Sequence, residues 1–249
     1  MSGGQISGNS AKDLGGGLLI YTNSTFTMTG GEISGNNTDG NAGGVYVIAN
    51  SAFTMTGGEI SQNIANNGGG VNVNTNSAFE MSGGEIFDNT ASNGGGVYVR
   101  ESLFEMTGGT ILNNTANYGG GVLIDADSTF KMTDGIISGN KVKYNGGGVY
   151  VQGNSNLIMS GGVVSDNITE QNGGGIYVTT NSTLVMAGGK ILGNTAVWGG
   201  GVYIYANTGT SFTMFGGEES RRQAFACLRH IKRSSASQKK VCEALFLII

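Results

Sequence analysis

"NGGGVYV", Asn145–Val151, runs three glycines straight into a short apolar segment. Met once, it resembles a loop that cradles a phosphate. A P-loop, however, needs Lys and Ser/Thr directly after the glycines and a helix beyond them. Here Val149, Tyr150 and Val151 follow instead. The stretch also recurs: the residue after the glycine run falls at Leu18, Val45, Val71, Val97, Val122, Val149, Ile176 and Val202, at intervals of 25–27 residues. A phosphate site would occur once. A motif met eight times is a structural repeat whose glycines serve tight turns and close backbone approach.

The repeat extends well beyond the glycines. All nine methionines, at 1, 28, 55, 81, 106, 132, 159, 186 and 214, occupy one position of it. The units follow the approximate pattern "FTMTGGEISGNTAxNGGGVYVxxNSx", which contains three strand-like triplets. In "VYV" the flanks are aliphatic and the middle varies as Leu19, Tyr46, Asn72, Tyr98, Leu123, Tyr150, Tyr177 and Tyr203. Period-two alternation therefore turns the flanks inward and the middle outward. "FTM" reads the same way, with Glu80, Glu105 and Lys131 among its middle residues. In "EIS" the inward residue is Ile or Val, from Ile33 to Ile191.

Three short strands and intervening turns in about 26 residues make one coil of a β-solenoid. One coil cannot bury its apolar side chains alone, but stacked coils can. The fold expected is all-β: a single parallel β-helix of about eight coils over residues 1–217, roughly 38 Å long at ~4.8 Å per coil. No helix-length periodic segment lies between the strands, which excludes the α/β folds. Two asparagine series mark the turns. One runs without exception through Asn9, Asn36, Asn63, Asn89, Asn114, Asn140, Asn167 and Asn194; the other through Asn23, Asn50, Asn76, Asp127, Asn154, Asn181 and Asn207, lapsing only in the shortened unit "VRESLF". Asparagine tolerates left-handed backbone, and stacked copies can bond to one another along the rod.

Composition supports a scaffold. Glycine is 47 of 249 residues and proline is absent, which excludes collagen-like and Pro-rich linker readings. All the glycines lie in residues 1–217, which carry 6 basic and 14 acidic side chains; residues 218–249 carry 7 and 3, with Cys227, Cys242 and His230. The net charge of −4 gives no reason to expect nucleic acid as a partner. No apolar run approaches the ~20 residues of a membrane-spanning helix, and the first residues do not form a signal peptide. Two readings of the tail stand side by side: out-of-frame or recombined sequence with residues 234–249 poorly ordered, or a short capping helix near Ser220–Arg233 that lays Phe225, Leu228 and Ile231 over the last coil. Met1 already occupies a mid-repeat position, so the chain is expected to be a fragment.

The units "FTMTGGEISGN" and "NGGGVYV" resemble the repeats of large bacterial surface proteins with the right-handed parallel β-helix, or pectin-lyase-like, fold. They are partly similar to polymorphic outer-membrane protein repeats, with "GGGVY" and "IS-x-N" in place of "GGA-I" and "F-x-x-N". The resemblance covers Met1 to about Gly217. It implies right-handedness, export to the cell surface or outside the cell, and a role as adhesin, passenger or stalk.

No catalytic, cofactor or metal residue is expected. Calcium-binding solenoids place an aspartate after the glycines, and none stands there. Stacked acids, Glu32, Glu59 and Glu85 in one column and Glu80 and Glu105 in another, raise a weaker cation idea. Catalysis on a polysaccharide would need a non-repeating cluster of carboxylates with Lys or Arg. The body offers Lys141 and Lys143, with Asp166 one coil later. The "TMT" threonines give way to other residues too soon for an ice-binding array. Tyr46, Tyr98, Tyr150, Tyr177 and Tyr203 remain as a candidate exposed recognition face, suited to a glycan or a host-surface component, against the alternative that they pack on one another to hold the sheet. A monomeric, non-catalytic rod is the expectation; a polysaccharide-active or carbohydrate-binding β-helix is the alternative.

Overall fold

The computed structural model describes residues 1–205, 209–219 and 226–227. Of the expected capping helix at Ser220–Arg233 only Ala226–Cys227 is described, and it is strand rather than helix because it pairs with the coil before it; Asn207, His230 and Cys242 lie outside the described residues. Short strands at Glu218–Glu219 and Ala226–Cys227 pair with the preceding coil. The chain winds as a solenoid of three parallel sheets, of 12, 7 and 9 strands, called A, B and C below. Coils are counted from the glycine corner, so coil 1 carries Leu18 and coil 8 carries Val202.

Sheet C is the "VYV" triplet, in register from Leu18–Tyr21 to Val202–Ile204. Sheet A joins two expected strands into one. "FTM" and "EIS" form a continuous ten-residue strand in the first five coils, as in Ala78–Phe87, and separate in coils 6, 7 and 8. The Gly-Gly between them sits at a register irregularity, so the strand bends without ending. The third sheet comes from a segment read as turn: the residues after the conserved asparagine, such as Thr90–Asn93, pair with their counterparts as sheet B.

Side chains stack on their own counterparts because each coil repeats the last. Phe53, Phe79, Phe104 and Phe130 lie nearly parallel, with centroids 4.5–4.9 Å apart. Coils 6 and 7 continue the column with Leu157 and Leu184. Beside it run the methionines, the Ile/Val of "EIS" and the paired aliphatics of sheet C, most of them fully buried. At ~1.5–3 kcal/mol per buried side chain, these columns offset the entropy of ordering a chain this rich in glycine.

The glycines have identifiable tasks. In "NGGG", Gly146 has φ +71°, and a Cβ on Gly148 would lie 2.7 Å from the carbonyl oxygen of Gly175 and 2.9 Å from Asn167 Nδ2. The corner is therefore closed to larger residues by the next coil. In "TGGE" the second glycine serves the methionine. At Gly109, φ +82°, a Cβ would come within 2.6 Å of Met81 Cε in the preceding coil. From Met1 to Met186 each methionine methyl thus occupies the slot that a glycine of the following coil leaves open, which explains why the two residue types recur together.

The first asparagine series lines the inside of the corner between sheets A and B, and Asn36 to Asn167 are fully buried. Each side chain is used completely. Asn89 Oδ1 accepts from both the backbone N and Nδ2 of Asn63, while Asn89 Nδ2 donates to Ile60 O and Asn114 Oδ1. The second series works by conformation: Asn50 and Ala49 have φ near +60°, and the other copies pair similarly. Directly after it runs a serine ladder, in which Ser51 N donates to Ser77 Oγ and Ser77 N to Ser102 Oγ at 3.1–3.2 Å.

Two stability predictions follow from these contacts. Asn89→Ala strips the acceptor from two buried donors, each worth ~1–3 kcal/mol when left unpaired. Chemical denaturation should show a loss of ~3 kcal/mol or more, against less than ~1 for Asn50→Gly at an exposed turn that already has positive φ. Gly109→Ala should be destabilising in the same assay and partly rescued by adding Met81→Ala, which empties the contested space; additive losses would contradict the slot.

Candidate functional site

The five tyrosines do share one column on the outer side of sheet C, but they are not an exposed face. Tyr46, Tyr98, Tyr150, Tyr177 and Tyr203 are only 2–8% exposed. Tyr98, Tyr150, Tyr177 and Tyr203 make, with Leu123 and Tyr118, a second apolar cluster separate from the lumen core, while Tyr46 lies apart from it. Tyr150, Tyr177 and Tyr203 stack at 5.0–5.2 Å with interplanar angles of 4–15°. Alternation predicted correctly that this column points out of the lumen. It could not predict that the glycine corner folds back against it: a Cβ on Gly146 would lie 2.7 Å from Tyr150 Cβ. Cross-strand packing is what these rings do.

Burial governs their chemistry. It pushes Tyr98 up to about 12, helped by the Asp125 carboxylate, which accepts from the Tyr98 hydroxyl at 3.3 Å. Tyr177 is also pushed up to about 12, by burial and then by Tyr203. Tyr46 and Tyr150 are raised for the same first reason. Asn72 interrupts the column between Tyr46 and Tyr98. It is fully buried, its Nδ2 bonds to Asn67 O, and its Oδ1 finds no partner among the described residues.

Beside the tyrosines, the next outward column of sheet C brings Asn74, Arg100 and Asp125 into register on successive coils. Arg100 Nε also lies 3.4 Å from Glu101. Arg100 and Asp125 thus stand in register beside the Tyr98 phenol. The one irregular unit, "VRESLF", was the available sequence signal, and it reads at first as nothing more than a shortened turn.

The lysines expected near Asp166 lie on the strand of sheet B one coil before it. Lys141 pairs in register with Ile168 and Val142 with Thr169, so Glu170 follows the partner strand directly, while Asp166 occupies the turn before it at φ +56°. Lys141 and Lys143 border a shallow trough over sheet B with Thr90, Ser92, Thr115 and Asn117. Lys143 Nζ stands 5.3 Å from the centre of the Tyr144 ring. The acid columns are in register as read: Glu32, Glu59 and Glu85 in one, Glu80 and Glu105 in the other. Lys131 Nζ bonds Glu105 at 2.8 Å and so neutralises the end of the second column, while the uncharged Gln5 amide donates to Glu32 in the first. No group of three or more metal-ligating side chains gathers among the described residues.

A column that sequence reading passed over lies at the outer corner between sheets B and C. The residue before the glycine turn is Asn41, Asn67, Asn93, Tyr118, Asn145, Asn172 and then Trp198. Its amides bond along the axis: Asn67 Nδ2 to Asn41 Oδ1, Asn93 to Asn67, and Asn172 to Asn145, at 2.8–3.0 Å. Trp198 ends the run and is 53% exposed.

Raised phenol pKa values tie the tyrosine column to alkaline stability. An unfolded tyrosine ionises near 10, whereas folded Tyr98 and Tyr177 hold their protons to about 12. The folded state therefore binds more protons across that interval, and stability falls as pH rises through it. Denaturant midpoints should be level below pH 10 and decline between pH 10 and 12; the double variant Tyr98→Phe/Tyr177→Phe should flatten the decline.

A family model described as "Right handed beta helix region" matches residues 16–186. No curated protein and no solved structure matches the chain.

Proposed function

Because the chain belongs to the right-handed β-helix family, and its recurring polar side chains are spent on neighbouring coils, we propose that it is a non-catalytic rod that spaces or presents an adhesive face at a cell surface. The asparagine ladder carries this reading. Asn36, Asn63, Asn89, Asn114, Asn140 and Asn167 each bond both to the next asparagine and to a backbone carbonyl of the preceding coil, which stiffens the wall and leaves those amides nothing to offer a substrate. Unit lengths of 25–27 residues leave no long loop in the body to wall a cleft. A surface role draws on the likeness to bacterial surface repeats and on a body that carries no cysteine before Cys227.

The register of Asn74, Arg100 and Asp125 favours a second reading, a polysaccharide-active or carbohydrate-binding patch on sheet C. Arginine suits a carboxylate or a polarised hydroxyl, and aspartate can accept a proton. The two readings part on turnover. Incubation with polygalacturonate and other polyuronates should yield neither new reducing ends nor unsaturated products; product formation abolished by Arg100→Ala would overturn the rod reading. Placement is tested separately: an antibody to the rod should label intact cells, and labelling only after permeabilisation would contradict a surface location.

A further inference from the structure

Four Asn–Gly pairs occur in the chain, Asn67–Gly68, Asn93–Gly94, Asn145–Gly146 and Asn172–Gly173, and all of them lie in the corner column before the glycine turn. Asn–Gly is chemically labile, because glycine has no Cβ to shield its backbone nitrogen from the asparagine Cγ. Loss of the side-chain amide needs a glycine nitrogen that can attack, a carbonyl oxygen that can carry negative charge, and an amide nitrogen that can leave. The folded corner treats the first alike at every copy. Gly68, Gly94, Gly146 and Gly173 each donate their N–H to the corner carbonyl of the next coil at 2.8–3.0 Å. The fold therefore slows all four reactions relative to an unfolded chain.

The side-chain ends differ. Asn67, Asn93 and Asn172 each hold Nδ2 on the Oδ1 of the asparagine one coil below. Below Asn145 stands Tyr118, which offers no such acceptor. Asn145 is partly exposed, and its Nδ2 has no partner among the described residues. The oxygens differ too. Asn67 Oδ1 and Asn145 Oδ1 accept from the Nδ2 above at 2.8 and 2.9 Å. Asn93 has Tyr118 above it, and Asn172 has Trp198, so that Asn172 Oδ1 is buried without a partner among the described residues. Of the four, Asn145 alone combines a free leaving group with a donor on its carbonyl oxygen.

We infer that Asn145–Gly146 is a self-modification site, at which the folded rod deamidates in water without an enzyme. The Gly146 nitrogen releases Asn172 O, gives its proton to solvent and attacks Asn145 Cγ. As the new C–N bond forms, the Asn172 amide stabilises the charge that develops on Oδ1. The Cγ–Nδ2 bond then breaks, and Nδ2 takes a proton from water and leaves as ammonia. Water opens the cyclic imide at either carbonyl. One opening leaves aspartate; the other leaves isoaspartate, which lengthens the backbone at a corner where coils must match. Either product puts a carboxylate into an uncharged column, so an aged rod differs from a new one at its sixth coil. This chemistry stands whether or not the rod sits at a cell surface.

Peptide mapping by mass spectrometry tests it on the full chain held in warm, mildly alkaline buffer. Rates in denaturant give the reference for each local sequence. Measured against its own reference, folded Asn145 should convert at least ~10-fold faster than folded Asn67, Asn93 or Asn172, a modest margin beside the ~100-fold loss when an enzyme loses one oxyanion donor. Tyr118→Asn supplies an acceptor below Asn145 and should slow its conversion several-fold. The denaturant midpoint of that variant checks that it folds, as it should with the residue that the column repeats. Equal normalised rates at the four sites, no conversion of folded Asn145, or an unchanged rate in folded Tyr118→Asn would overturn the site.

Discussion

Hydrogen bonding between parallel strands fixes one distance, about 4.8 Å, and every other interaction in this protein inherits it. Once the coils are held at that spacing, like residues must face like residues. Apolar side chains benefit directly: phenylalanines stack at 4.5–4.9 Å and methionines run into glycine slots. Asparagine can bond to its own copy because its amide is both donor and acceptor. Charged residues cannot repeat without repulsion, which accounts for the sparse charge of the body and for the Lys131–Glu105 pair where an acid column turns basic. The spacing thus selects the composition.

Most of the architecture was legible in the sequence because a repeat reports each constraint eight times. Coil length, the lumen-facing columns and the asparagine ladder could all be read from residue identity alone, whereas the ladder's burial could not. Sheet B could not. Segments such as Thr90–Asn93 carry small and polar residues with no apolar alternation, and their strand character comes from pairing with the coil above rather than from their own preference. The fusion of "FTM" with "EIS" was equally hidden, since Gly-Gly ordinarily signals a break, and here it bends a strand that continues.

The tyrosines show where alternation stops being sufficient. It gives the side of the sheet and says nothing of what covers that side. Tyr150 and Tyr177 point away from the lumen and are still buried, because the glycine corner and neighbouring rings close over them. The corner column was missed for the opposite reason. Asn145 and Asn172 look like ordinary turn residues in a chain full of asparagine, and Trp198 becomes informative only when the ladder it interrupts is seen.

The stacking order also bears on how such a chain reaches its folded state. Each finished coil displays, on its open rim, a row of unsatisfied amides, half-covered aromatic rings and glycine slots that fit the next 26 or so residues and no others. Growth from that rim resembles crystal growth in one dimension, with a costly nucleus and inexpensive addition. The asparagine ladder acts as the register mark, since a slip of one residue would carry its side chain out of the wall and leave its donors dry. A protein with little charge and no helix among its described residues can therefore assemble reliably by copying, coil after coil, the surface it has just made.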